Sequence, residues 1–379
     1  AILSYINAEN AYRETVTKPW ASAEDAIFAE IKSRISEKDS GVPWQDGAFE
    51  LTWDFDEGAD YRRWSVRPAR LHQTSEDVRA HAASSAEGWQ TLFDESAAAQ
   101  GSDFYRLAAL SLSPDGRWLA VSEDRNGSER FSVRLIAQDA GASAASKQAA
   151  EAVIVPETSG EIIWDAQSRG FFYVVVSAEW RPYLLRWQSI QGGAPVDIYR
   201  EEDSSHFVHI SKSGRGRHLL MTTGTHVTSE VHVLALSGCA DTLEAERALP
   251  EGALVCVRAG SDGHQYSLSE GDAGWWVLSN KDHKNFGLYF SPSLTSEWQP
   301  CRLGDDSRYV RDIVVLKDRL FLSERVDGRD EIAELDAQGT FIRLLAFAED
   351  ARAVSFSVNR FYSAPYVRLS YTSMITPHS

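Results

Sequence analysis

Thiols are few in this chain: three cysteines, Cys239, Cys256 and Cys301, among 379 residues. An odd number of widely spaced cysteines offers no disulfide framework and no zinc pattern, and it points to a reducing, cytoplasmic setting. No apolar run approaches the roughly twenty residues of a membrane-spanning helix. The N-terminus lacks the charged and apolar regions of a signal peptide; the chain starts mid-element, as it would if a leader had been trimmed. Basic charge is also scarce, with 38 Lys and Arg against 55 Asp and Glu, a net charge of −17. Phosphate binding needs a basic footprint, so nucleic acid is excluded as a partner. A negative field suits a cationic partner, or serves solubility alone. No Gly-x-Ser-x-Gly string occurs, so no serine is marked as the nucleophile of a strand-to-helix elbow.

Aromatics, by contrast, are plentiful, with 12 Trp and 13 Tyr. Such residues favour strands and fill the space between packed sheets. The first forty residues read as two short helices. Ile2, Tyr5, Ile6, Tyr12 and Val16 form a loose apolar face, and Pro19 interrupts it. Ser22, with Asp25 three residues on, reads as the cap of a second helix carrying Ile27, Phe28, Ile31 and Ile35 on one stripe. Two short amphipathic helices are marginal alone, so both need a larger surface to cover.

From Val42 the period changes to two. Phe49–Trp53, an acidic turn with Gly58, and Arg63–Val66 give strand, turn and strand. The pattern returns at Leu110–Val133, Ile162–Leu185, Val208–Val233, Trp275–Tyr289, Leu320–Ala333 and Ala353–Leu369. Seven units of roughly fifty residues with four short strands each predict an all-β fold, a seven-bladed β-propeller of four-stranded blades. A long sandwich or a solenoid fits the steady unit length less well. The predicted organisation is a helical segment at 1–40, the propeller at 41–372 and a linker at 373–379. The Ala/Ser-rich segments Ala82–Ala99 and Asp139–Ala152 read as loops or short helices.

Candidate chemistry is thin. His206 and His209 lie three apart, which in a strand places them on opposite faces, and His226 and His232 are read as structural or surface residues. Asp124-Arg125-Asn126-Gly127 lacks the further ligands of a calcium loop and reads as a hairpin turn. Glu201-Glu202-Asp203 reads as a solvated loop. No metal and no cofactor is called for. The turns joining the second and third strands of all units share one face, which is expected to be charged and mildly acidic.

Several strings resemble the prolyl oligopeptidase family. They are Tyr5-Ile6-Asn7-Ala8-Glu9-Asn10-Ala11-Tyr12, Phe28–Arg34, Val42-Pro43, Leu112–Gly116 and Tyr371–Pro377. Arg181-Pro182-Tyr183, Thr228–Val231 and Lys284-Asn285-Phe286 are similar to its oligopeptidase B branch. The resemblance covers nearly the whole chain in the correct order. It implies the propeller of a serine oligopeptidase that cuts short peptides after Arg or Lys, in which the propeller gates an α/β-hydrolase domain and excludes folded proteins. The family's catalytic serine, aspartate and histidine belong to that other domain, so no catalytic residue carries over. The chain is therefore expected to be inactive alone, a fragment or one half of a split protein. Its implied partners are the hydrolase domain and short basic peptides. The same resemblance brings Glu157–Glu161 and Thr223–Glu230 nearest the substrate, and Glu129, Arg130, Glu157, Glu161 and Glu230 are the candidates for interdomain or peptide contacts. The alternative is a stand-alone propeller that docks a protein on one face. A propeller hydrolase with its own carboxylate or metal site ranks last, for want of a convergent cluster.

Overall fold

The computed structural model describes residues 2–69, 88–138 and 151–377. Residues 82–87 and 139–150 of the two Ala/Ser-rich segments lie outside them. No helix among the described residues is long and apolar enough to cross a membrane.

The strands follow the alternation in the sequence and fall into consecutive sets, every pairing being antiparallel. The first set is β1 (Trp44–Asp46), β2 (Phe49–Asp54), β3 (Arg63–Pro68) and β4 (Gln90–Asp94). The second is β5 (Arg106–Leu112), β6 (Trp118–Asp124), β7 (Phe131–Ala137) and β8 (Glu151–Thr158). The third, β9 (Ile163–Trp164), β10 (Gly170–Val176), β11 (Pro182–Ser189) and β12 (Val196–Arg200), joins the second through one pair, Thr158 opposite Val175. Next come β13 (Phe207–Lys212), β14 (His218–Gly224), β15 (Ser229–Ala235) and β16 (Leu254–Arg258). The fifth set is β17 (Tyr266–Glu270), β18 (Trp275–Ser279), β19 (Gly287–Ser291) and β20 (Gln299–Leu303). The sixth is β21 (Arg308–Val315), β22 (Arg319–Val326), β23 (Arg329–Asp336) and β24 (Phe341–Leu344). The last is a hairpin, β25 (Arg352–Phe356) with β26 (Leu369–Ser373).

That hairpin departs from the expected four-stranded blade. The reason lies in residues 357–368, where the Asn359 side chain takes the place of a strand partner. Its amide nitrogen donates to the Ser357 and Arg368 carbonyls at 2.8 and 2.9 Å, and its oxygen accepts the Arg368 N–H at 2.7 Å. Val367 and Arg368 thus precede the strand rather than belong to it.

Second strands carry the core because both their faces are buried. Leu219 and Met221 of β14 point into one apolar cluster with Phe172, Val174 and Trp187, while Leu220 points into the next, with Val277 and Tyr289. Likewise Trp275 and Val277 of β18 face back and Trp276 and Leu278 face forward. Each apolar cluster therefore sits between two consecutive sets, and the sets stack face to face. Trp187 is fully buried, and its indole lies where a Cβ on Gly170 would stand, 2.3 Å away. Only a glycine lets that ring lie on the neighbouring strand.

The turns between first and second strands repeat a six-residue device. In Ser113–Trp118 the Ser113 hydroxyl accepts the Trp118 N–H at 3.0 Å, and Gly116 takes φ 72°. Ser213–His218 repeats it with Gly216 at φ 72°, whereas in Asp165–Gly170, with Ser168 at φ 59°, the Asp165 carboxylate accepts the Gln167 and Arg169 N–H groups at 2.9 and 3.1 Å. Asp124 behaves as the sequence implies, as a turn residue: its carboxylate accepts N–H groups from Asn126, Gly127 and Glu129 at 2.9, 3.0 and 2.8 Å.

At the N-terminus, α1 (Ile2–Thr17) leads through a 3₁₀ turn (Lys18–Trp20) into α2 (Ala21–Ser33). The expected Ser22 cap is not made. Trp20 occupies the cap position with helical dihedrals, so no extended residue precedes the helix to offer one. Neither helix buries a residue, and Leu3, Tyr5, Tyr12, Ile27, Phe28 and Ile31 are all exposed. Two helices of the described chain were not foreseen or only loosely so: α3 (Glu95–Ala99), capped by Asp94, and α4 (Cys239–Glu246), which buries Leu243.

Candidate functional site

Two adjoining hollows, of about 510 and 400 Å³, open where the first strands of the first four sets meet the loop at 359–363. Asp46 lines both. Its carboxylate faces two cations, Lys212 Nζ at 3.4 Å and Arg360 at 3.2 Å. Glu161 lines the second hollow, accepts from Ser159 Oγ at 3.2 Å, and stands 3.4 Å from His209 Nδ1. The Glu161 hydrogen bond raises the His209 pKa against a smaller opposing effect of burial. His209 in turn lines a third hollow with Thr222, His226 and Gln265.

The turns between second and third strands are rich in charged residues. Their carboxylates are largely paired at home. Arg63 holds Asp54 and Asp56, and Arg106 holds Glu129 at 2.8 Å. Arg130 bonds Glu157 and donates to the Ser177 and Ala178 carbonyls at 2.8 and 2.7 Å, beneath the Trp180 ring. It therefore ties the second set to the third. Arg181 repeats the move, donating to the carbonyls of Glu201, Asp203 and His206. Asn285 does so between the fifth and sixth sets, donating to the Asp305 carbonyl at 2.7 Å. Several of these turns hold a non-glycine residue at positive φ: Glu129 at 56°, Trp180 at 60°, Phe286 at 58° and Asp327 at 47°. Backbone held in that sparsely populated region concentrates at binding and switch surfaces.

The five candidate residues do not form one cluster. Arg130 and Glu157 meet each other, Glu129 meets Arg106, and Glu161 meets His209 at the hollow. Glu230 lies on β15, where its carboxylate accepts the Gly260 N–H at 2.7 Å and meets His232 Nε2 at 2.7 Å. His206 and His209 have separate partners, Asp203 and Glu161, as their spacing implies. Glu201 is more engaged than a solvated loop residue: it accepts from Thr223 Oγ1 at 2.5 Å and from the Tyr199 hydroxyl at 3.0 Å. Burial pushes its carboxyl up, but those hydrogen bonds outweigh it and hold the pKa low.

Two serine–histidine contacts escaped the sequence reading. Ser205 Oγ lies 3.3 Å from His206 Nδ1, but Asp203 approaches the same nitrogen at 3.3 Å. A relay needs acid and nucleophile on opposite ring nitrogens, so this is a turn and not a triad. Ser279 Oγ lies 2.9 Å from His264 Nε2, but Ser279 is fully buried.

Antiparallel strand sets stacked face to face around a hollow, with charged turns on one rim, define a β-propeller type of domain. The chain belongs to the family described as prolyl oligopeptidase, N-terminal β-propeller domain, which matches residues 2–379. It is similar to dipeptidyl aminopeptidase BI of Pseudoxanthomonas mexicana, 24% identical over 391 residues covering 99% of this chain and 50% of that protein. Protease 2 of Moraxella lacunata is 21% identical over 387 residues, covering 99% and 51%. Among solved structures, oligopeptidase B from Leishmania major superposes with a TM-score of 0.82 at 20% identity, covering 100% of this chain and 51% of that one. Oligopeptidase B from Trypanosoma brucei with covalently bound antipain, in a closed form, gives 0.81 at 23% identity, with the same coverage. The chain thus spans about half the length of the curated relatives it matches.

Proposed function

We infer that this chain is the gating and size-filtering propeller of a serine oligopeptidase that hydrolyses short peptides after Arg or Lys. The strand sets are taken as seven blades of a ring whose last blade is the β25–β26 hairpin. The triad belongs to an α/β-hydrolase domain, from the same gene or a second chain, and the propeller alone is inactive. The three free cysteines support a cytoplasmic setting. The observation that carries the reading is the family match over residues 2–379 in a chain half as long as its relatives. The uncovered apolar faces of α1 and α2, with Met374 and Ile375 also exposed, support a large covering partner.

The test is to read the coding sequence that adjoins this chain, express the joined protein and assay chromogenic peptides. A Gly-x-Ser-x-Gly elbow followed by Asp and His, and cleavage after Arg or Lys, is the expected result. Cleavage confined to other residues overturns the specificity. Neutralising Glu157 and Glu161 in that enzyme is expected to lower kcat/KM on Arg peptides at low salt; an unchanged value removes both from the substrate path.

A further inference from the structure

Glu230 and His232 stand two apart on β15, so both side chains leave the same face of the sheet. Cys256 of β16 is the cross-strand partner of His232. The register slips next to it: Val231 pairs with Arg258 and His232 with Cys256, which leaves Val257 as the extra residue of a bulge. Bulges re-aim side chains. Here the carboxylate, imidazole and thiol ligand atoms all lie within 4.8 Å of one another.

The surroundings are those of a built site. Glu230 is oriented by the Gly260 N–H on one oxygen at 2.7 Å and by His232 Nε2 on the other at 2.7 Å. The His232 ring is held against Tyr199, with centroids 5.2 Å apart. The His232 side chain is only 11% exposed. Cys256 is a free, exposed thiol, so solvent reaches the cluster from its side.

We propose that Glu230, His232 and Cys256 form a divalent cation site, suited to Zn²⁺ and open to water at a fourth position. Thiolate, imidazole and carboxylate together are the donor set of a borderline-soft, tetrahedral ion. On binding, the Cys256 thiol gives up its proton to solvent and the neutral imidazole gives one lone pair. The ion would clamp β15 to β16 and, through Glu230, to the loop at Gly260. The site is independent of the peptidase reading.

Co²⁺ is the probe. Metal-free full chain titrated with Co²⁺ is expected to develop a thiolate-to-cobalt charge-transfer band that saturates at one equivalent and vanishes when Zn²⁺ is added. Cys256→Ser abolishes the band, and Cys301→Ser leaves it. Glu230→Gln and His232→Gln weaken Co²⁺ binding by about tenfold or more. His232 is packed, so circular dichroism checks the fold of its variant; exposed Cys256 supplies the decisive substitution. Absence of a band, or a band that survives Cys256→Ser, overturns the proposal.

Discussion

Two kinds of join hold these strand sets together. Between the third and fourth sets, Phe172, Val174, Leu185, Trp187, Leu219 and Met221 interlock, all of them fully buried. Between the last hairpin and the first set the contacts are polar: Arg368 donates to the Val42 and Pro43 carbonyls, and Arg360 meets Asp46. Among the described residues, β1–β4 pair with no strand of the hairpin, and no apolar cluster spans that seam. Apolar joins scale with the area removed from water, whereas an exposed ion pair adds little against competing solvent. The seam is therefore the softest join in the molecule.

The comparison can be broken at its strong side first. Trp187→Ala should cost about 3–5 kcal/mol in urea unfolding, because it empties a fully buried site and orphans Asp165 Oδ2, 3.2 Å from the indole nitrogen. A loss under about 1 kcal/mol would mean that this join does not carry the core.

Next is the polar clasp inside a strong join. Glu270, at the end of β17, accepts from Ser213 Oγ at 2.6 Å and from Arg217 Nε at 2.7 Å, both in the turn of the preceding set. Burial pushes its carboxyl up, but the bonds to His218, Ser213 and Arg217 win and lower its pKa to about 2. A carboxyl depressed in the folded state stabilises above its unfolded pKa and loses that contribution as pH falls through the folded one. Wild-type stability should thus drop between about pH 4.5 and pH 2. Glu270→Gln should be less stable by about 2–3 kcal/mol at neutral pH and show a flatter acid limb. Parallel acid limbs would assign that drop to other groups.

At the seam, Arg368→Ala should cost about 1–2 kcal/mol. Amide exchange should quicken at residues 42–46 while β10 and β14 stay protected. Equal quickening in β14 would erase the distinction between the joins. The smallest effect is expected at Arg360→Ala, an exposed partner of Asp46, at under about 1 kcal/mol in thermal unfolding.

Much of this was legible in the residues, for a physical reason. Second strands are buried on both faces, so Trp118–Val121, Phe171–Val176 and Trp275–Leu278 announce themselves as apolar runs. Fourth strands were foreseen in number but not placed on residues, because they are edges: β20 and β24 are mostly or wholly exposed, and Gln299–Leu303 carries no alternation to read. Helix α4 was missed because Leu243 is its one large buried side chain. The charge of the turns between second and third strands was legible, but their pairings were not, since Arg130 reaches 47 residues along the chain to Ser177. The strings that resembled the oligopeptidase B branch turn out to lie where one set is tied to the next: Arg181, Ser229 and Asn285 all bond across a junction. The Glu230–His232 spacing was visible too, but Cys256 joins it only through cross-strand register and a bulge, neither of which a single sequence displays.

The seam has a consequence in time as well as in strength. Every apolar join links neighbours along the chain, so it can form as soon as the next set has left the ribosome, with little loop to close. The Arg368 bonds span 325 and 326 residues, and nothing can make them until residue 368 has been synthesised. Assembly is then expected to run in the direction of translation, set upon set. The joining of the last hairpin to the first set becomes a separate, final event, reversible without undoing any of the earlier ones.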